Sequence, residues 1–169
     1  MQGTLIHDPT PAPPLPAIDA WQALSLLQPW CGAILDGGKR LENRDWKHGS
    51  NFRGWFMLHA SKKLTRKYYD GVVDFVSERS SIKWRPPPFA EVRCGGIVGI
   101  ARVRGVVHNE SDIEHPDFGI AYGQTPWWMG GFALVLDDVR STPFVPCAGA
   151  LSFWRVPVDV ARLALAEAA

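Results

Sequence analysis

Apolar positions come first as a short run, Leu24, Leu26 and Leu27, that stops at Gln28-Pro29. Trp30, Ile34 and Leu35 then recur at helical spacing until Gly37-Gly38, so the pattern predicts a strand, a short helix and a glycine turn. Alternation over residues 40–46 predicts a second strand, with Arg40, Glu42, Arg44 and Trp46 on one face and Leu41, Asn43 and Asp45 on the other. A polar turn at Gly49, Ser50 and Asn51 leads to an aromatic-rich run over residues 54–60, a central strand that places Trp55, Met57 and His59 on one face. Leu64, Tyr68, Val72, Phe75 and Val76 have the spacing of one helical stripe, with Ser61 or Thr65 as N-cap. The helix ends before Pro86-Pro87-Pro88. Runs of small and β-branched residues over 95–107, 132–139 and 151–156 complete a sheet or barrel, and residues 159–168 predict a terminal helix.

The first twenty residues hold Pro9, Pro11, Pro13, Pro14 and Pro16 with almost no apolar periodicity, so residues 1–20 read as an extended arm and 21–169 as a single domain. A chain of 169 residues that is 46% hydrophobic has material for one sizeable core. No apolar run approaches the roughly 18 residues of a membrane span, and no charged segment precedes an apolar leader, which argues against membrane and secreted classes. Cys31, Cys94 and Cys147 are widely spaced and form no CxxC pair, which fits free buried thiols in a reducing cytoplasm. The net charge of +1 excludes a strongly basic nucleic-acid sponge, yet the charge is uneven along the chain. Residues 1–38 carry −3, residues 39–67 carry +7 and residues 68–169 carry −3. The basic block reads either as a solvated face or as a patch that meets an anion.

Signals of common enzymes are missing: there is no GxSxG, HExxH, P-loop or GxGxxG, since Gly95-Gly96-Ile97-Val98-Gly99 has the wrong spacing. His7, His48, His59, His108 and His115 show no spacing with Cys, Asp or Glu that gathers a metal, so neither metal nor cofactor is expected. The informative stretch is Gly37-Gly38-Lys39-Arg40-Leu41-Glu42-Asn43-Arg44, of the form GxKxxExR, where a helix hands over to a strand. Four further segments accompany it: Leu24-Ser25-Leu26-Leu27-Gln28-Pro29-Trp30, His59-Ala60-Ser61-Lys62, Gly95-Gly96-Ile97-Val98-Gly99, and the stretch from Pro146-Cys147-Ala148-Gly149 to Phe153-Trp154. In this order they resemble the ASCH family over about residues 22–157. The resemblance implies an α+β fold, a PUA-like small mixed β-barrel with flanking helices. It also implies association with RNA, and in some members hydrolysis of acylated cytidine or of RNA. In the hydrolytic branch the residue matching Lys39 acts with a threonine where this chain has Glu42, so that mechanism does not carry over unchanged.

The residue types suit a nucleobase. A strand face carrying Arg40, Glu42, Arg44 and Trp46 would bury charges that must pair or meet a ligand. Glu42 can accept from an exocyclic amino group, Lys39 and Arg44 can donate to a carbonyl or phosphate, and Trp30 or Trp46 can stack on a base. Gln28, His59 and Ser61 complete the candidate ligand set, with Lys39 and Glu42 as candidate catalytic groups. An internal Lys39-Glu42-Arg44 ion network that binds nothing is the alternative. Glu42 beside Lys39 is expected to favour the charged ammonium, making it an electrostatic clamp rather than a base. Lys62, Lys63, Arg66 and Lys67 are expected in the first turns of the helix beginning near Ser61, where they either snorkel into water or contact a phosphate backbone. His59 reads as a core histidine or as an acid-base group, and Ser61 as a cap. Trp127 and Trp128 beside Gly130-Gly131 either line a loop that needs a partner or pack across the barrel mouth.

Three functions are consistent with these residues: a nucleobase- or modified-nucleoside-binding protein, catalytic or not; a non-catalytic module that binds single-stranded RNA; and an interaction protein whose proline arm engages a partner's aromatic groove.

Overall fold

The chain, described over residues 11–45, 51–114 and 116–166 by a computed structural model, has six strands and four helices. The strands are β1 (Gln22–Leu26), β2 (Leu41–Arg44), β3 (Gly54–Ala60), β4 (Gly96–Val107), β5 (Phe132–Pro146) and β6 (Phe153–Arg155). The helices are α1 (Trp30–Leu35), α2 (Arg66–Ser77), α3 (Glu110–Glu114) and α4 (Val158–Leu165). One sheet runs in the order β2-β5-β4-β3-β1-β6, with β1 and β3 parallel and the other neighbours antiparallel. It forms a half-barrel flanked by helices, the α+β PUA-like architecture expected. Among the described residues the edge strands β2 and β6 do not pair with each other. The turn of the sheet instead brings Arg44 of β2 to Ser25 of β1, whose carbonyl accepts from the guanidinium at 3.2 Å.

Strand alternation builds two cores. Leu24 and Leu26 of β1, Phe56 and Leu58 of β3, Ala101 and Val103 of β4 and Leu134 and Leu136 of β5 face inward onto Cys31 and Ile34 of α1. Ala23, Trp55, Met57, Ile97, Ile100 and Val145 face outward and are covered by Trp21 and by Val160, Ala161 and Ala164 of α4. Burying a large apolar side chain contributes about 1.5–3 kcal/mol, so both layers hold the sheet. The arm touches this outer layer: the Trp55 indole donates to Pro13 O at 2.9 Å, and Ile18 packs on the same cluster.

Several boundaries differ from the periodicity. α2 begins at Arg66, because Thr65 Oγ1 accepts from the Tyr68 amide at 3.2 Å and acts as the N-cap. Ser61 Oγ instead accepts from the Lys63 amide at 3.3 Å, so Lys62 and Lys63 precede the helix rather than occupying its first turn. The buried stripe is Tyr69, Val72 and Val76, and it leaves Tyr68 turned outward. β5 runs on to Pro146 instead of ending at Val139, because three slips of register against β4 break the alternation on which a strand is recognised. One of them lies beside Asp138, at φ 47°. Trp127 is buried against Ala33, Val76 and Ile82, and Trp128 packs on the cluster around Leu41, so neither indole forms an exposed lid. Trp46, His7, His48 and His115 lie outside the described residues. Among the described residues no helix is long and apolar enough to cross a membrane.

Candidate functional site

Lys39 is the first polar residue after the glycine turn that ends α1, and the fold seals it: its side chain is 1% exposed. Gly38, at φ 72°, supplies the left-handed residue that turns the chain from α1 toward β2. The ammonium donates to Leu41 O and to Glu42 Oε2, the latter at 3.2 Å, and lies 5.5 Å from the Trp30 ring centroid. Glu42 Oε1 faces Arg44 Nε at 3.2 Å, so one buried carboxylate bridges two cations. Burial lowers the Lys39 pKa from its ordinary value, and the neighbouring carboxylate opposes that shift only in part. Glu42 thus favours the charged ammonium, as expected from the sequence, while desolvation of the enclosed side chain works against it.

These three residues line a cavity of about 210 Å³ together with Ser25, Leu26, Leu27, Trp30, Asn43, Tyr68 and Met129. Its aromatic wall is tied, since Trp30 Nε1 donates to the Tyr68 hydroxyl at 2.8 Å. Burial raises the Tyr68 pKa, so the phenol keeps its proton for a ligand. Asn43 fixes the opposite rim: its Nδ2 donates to Trp127 O at 2.8 Å and its Oδ1 accepts from the Met129 amide at 3.0 Å. Gln124 Oε1 accepts from the Arg40 amide at 2.7 Å and clamps the same loop to the start of β2.

A second cavity, about 680 Å³, shares Ser25, Leu27 and Arg44 with the first and continues along His59, Ser61, Lys62, Lys63 and residues 149–152. Arg44, Lys62 and Lys63 supply its charge, and among the described residues no carboxylate lines it. His59 is 2% exposed; its Nε2 donates to Cys147 O at 3.1 Å, and its buried Nδ1 has no partner among the described residues. Gly149 packs so closely that a Cβ there would sit 2.4 Å from His59 Cε1 and 2.6 Å from Ser25 Oγ. Gly149→Ala is therefore expected to cost about 1–3 kcal/mol in denaturant titration, by overpacking the joint between β1 and β3.

Burial also lowers the His59 pKa, against the pull of its bond to Cys147 O. A histidine with a depressed folded pKa gives stability that is full above the ordinary pKa of about 6.5 and is lost as pH falls below it toward the folded value. His59→Gln is expected to flatten the acid side of a melting-temperature profile, a change absent if His59 titrates alike in both states.

The remaining candidates fall elsewhere. Gln28 turns to the far side of α1, where its Nε2 donates to Arg93 O at 2.9 Å, and it lines neither cavity. Arg66 pairs with Asp70 at 2.8 Å on the surface. Lys67 borders an aromatic groove with Trp30, Tyr68 and Phe75. Arg40 turns its guanidinium onto Ile34 O and Lys39 O. Ser25, Asn43, Tyr68, Met129 and residues 149–152 join the site without having been expected there, although all but Tyr68 and Met129 lie in the segments that carry the family resemblance. Tyr68 shared the spacing of core positions, and the others carry no charge. Among the described residues no group of His, Cys, Asp or Glu could hold a metal ion.

The family model of the ASCH domain matches residues 24–140, from β1 into β5, and so takes in most of both cavities. The chain belongs to the ASCH domain family. ASCH domains are PUA-like and generally bind RNA. No curated protein matches the chain. In this ASCH domain the matched span stops short of residues 149–152, so one wall of the larger cavity comes from outside it.

Proposed function

We propose that this ASCH domain binds single-stranded RNA, taking one nucleobase into the Lys39-Glu42-Arg44 cavity while neighbouring phosphates lie along Lys62 and Lys63. The observation that carries this reading is the continuity of the two cavities through Ser25, Leu27 and Arg44. The smaller, at about 210 Å³, falls below the ~300–1,000 Å³ of sites for drug-sized ligands and suits one base. Tyr68 and Trp30 offer it aromatic surface, and Glu42 and Arg44 offer an acceptor and donors for a base edge. Among the described residues the larger cavity is lined by cations without carboxylates, which a neutral nucleoside would leave unused. The three thiols, free in the structure, fit a cytoplasmic RNA-binding protein.

Anisotropy of a labelled short single-stranded RNA, titrated at several salt concentrations, tests this. Binding is expected to weaken as salt rises, with a log-log slope of about −0.7 for each phosphate neutralised. Tight binding of free cytidine with no salt dependence would replace RNA by a nucleoside. Turnover is a second reading, favoured by the depressed pKa of Lys39, since a less tightly held proton brings the amine closer to acting as a base. Mass spectrometry of acylated cytidines and RNA, with Lys39→Met as control, decides it.

A further inference from the structure

Gln28 is buried, 7% exposed, and only half of its amide is used. Its Nε2 is fixed as the donor by Arg93 O, so the carbonyl oxygen Oε1 has a settled orientation, and among the described residues no group donates to it. An amide oxygen withheld from water without a donor costs about 1–3 kcal/mol. Gln28 lines a third cavity, about 170 Å³, which shares no residue with the two described above. It lies between α1 and the segment that leads from α2 to β4, and Cys31, Gly32 and Leu35 form its α1 side.

Trp84 forms part of the wall opposite. Its indole lies so close to α1 that a Cβ on Gly32 would sit 3.2 Å from Trp84 Cζ2, and one on Gly37 would sit 2.8 Å from Trp84 Cγ. The two glycines thus let the Trp84 indole lie against α1 where it lines the cavity. Asp36 and Glu91 supply two exposed carboxylates at its edge. Arg93 also borders it, but its guanidinium is directed over the Phe144 ring, 5.9 Å from the centroid. Burial raises the Cys31 pKa, so the thiol adds no negative charge and no nucleophile.

We propose that this third cavity is a separate binding site for an alkylguanidinium group, with Gln28 Oε1 as its buried acceptor, Asp36 and Glu91 as its charge and Trp84 as its stacking surface. A planar guanidinium presents several N–H donors, carries the charge that two carboxylates attract and stacks on an indole face. A phosphate or carboxylate ligand would meet two like charges and an amide oxygen that cannot donate. The same chemistry is offered by a free small guanidinium compound and by an arginine side chain of a peptide, and the cavity volume suits the group itself rather than a larger ligand.

The test uses the full chain labelled with ¹⁵N and two probes, ethylguanidinium and the blocked tripeptide Gly-Arg-Gly, titrated separately. Saturable shifts of the Trp84 indole and Gln28 side-chain signals, in the millimolar range usual for so small a ligand, are expected. Gln28→Met is expected to weaken binding about tenfold, as is Asp36→Asn combined with Glu91→Gln. The second variant changes only exposed side chains, so it keeps the test decisive if Gln28→Met fails to fold. Tighter binding of the tripeptide than of ethylguanidinium would identify a peptide arginine as the natural occupant, and the reverse a free small molecule. Absence of saturable shifts with both probes, or binding that the Asp36/Glu91 variant leaves unchanged, would overturn the site.

Discussion

Glu42→Ala is expected to destabilise the fold by about 3–5 kcal/mol, the cost of breaking a buried ion pair by removing one partner. Glu42 faces Lys39 and Arg44 at 3.2 Å each, and the Lys39 side chain is 1% exposed, so without the carboxylate an ammonium is left enclosed with a backbone carbonyl and an aromatic ring. Lys39→Met removes the enclosed charge while keeping a linear stem, and it is expected to cost much less. Leu41 O then loses its donor, and Glu42 retains Arg44. Denaturant titration of both variants, with unchanged slopes, separates the two cases. A loss below about 1 kcal/mol for Glu42→Ala would mean that water reaches the ammonium and that the pair behaves as a surface one.

The same residue sets a pH dependence. A lysine whose pKa is lower in the folded than in the unfolded chain binds fewer protons when folded, so its burial costs stability at neutral pH. That cost is relieved as pH rises from the folded value toward the ordinary 10.5. Cys31 acts oppositely, because its raised pKa means that the unfolded chain loses the thiol proton first, above about 9.0. A Lys39→Met profile that falls more steeply on the alkaline side than the wild type's would reveal the lysine contribution.

Much of the fold was legible because alternation and helical spacing are local. Trp55 and Met57 fell on one face of β3, and Trp30, Ile34 and Leu35 outlined α1. What was illegible depended on contacts remote in sequence. Tyr68 and Tyr69 both have helical spacing to Val72 and Val76, and only the packing of α2 on the rest of the fold puts Tyr69 in the core and Tyr68 at the cavity. β5 was cut short because its register slips are set by β4, not by its own pattern. Lys39, Glu42 and Arg44 could be grouped because three charged residues close together must be reconciled when buried. Ser25, Asn43 and Gly149 could not, since each acts through a carbonyl, an amide or an absent side chain supplied by the fold. Gln28 lies two residues before Trp30 in sequence, yet the two line different cavities.

Lys62→Ala combined with Lys63→Ala is expected to reduce affinity for single-stranded RNA on the order of tenfold at physiological salt and to lower the salt slope by about 1 to 1.5. Both lysines line the larger cavity ahead of α2, together with Ser61 and residues 149–152, and among the described residues no carboxylate lines that cavity to neutralise them. Arg66→Ala serves as the control, because Arg66 is occupied by Asp70 at 2.8 Å and lines neither cavity. Its slope is expected to match the wild type's. If the basic block between residues 39 and 67 acted only as a diffuse positive surface, all three cations would contribute alike and the control would shift with the double variant. A difference between them locates the phosphate path in the cavity that opens from the base-sized one, and Trp30→Ala is then expected to weaken binding without changing the slope, since a stacking contact releases no counterion.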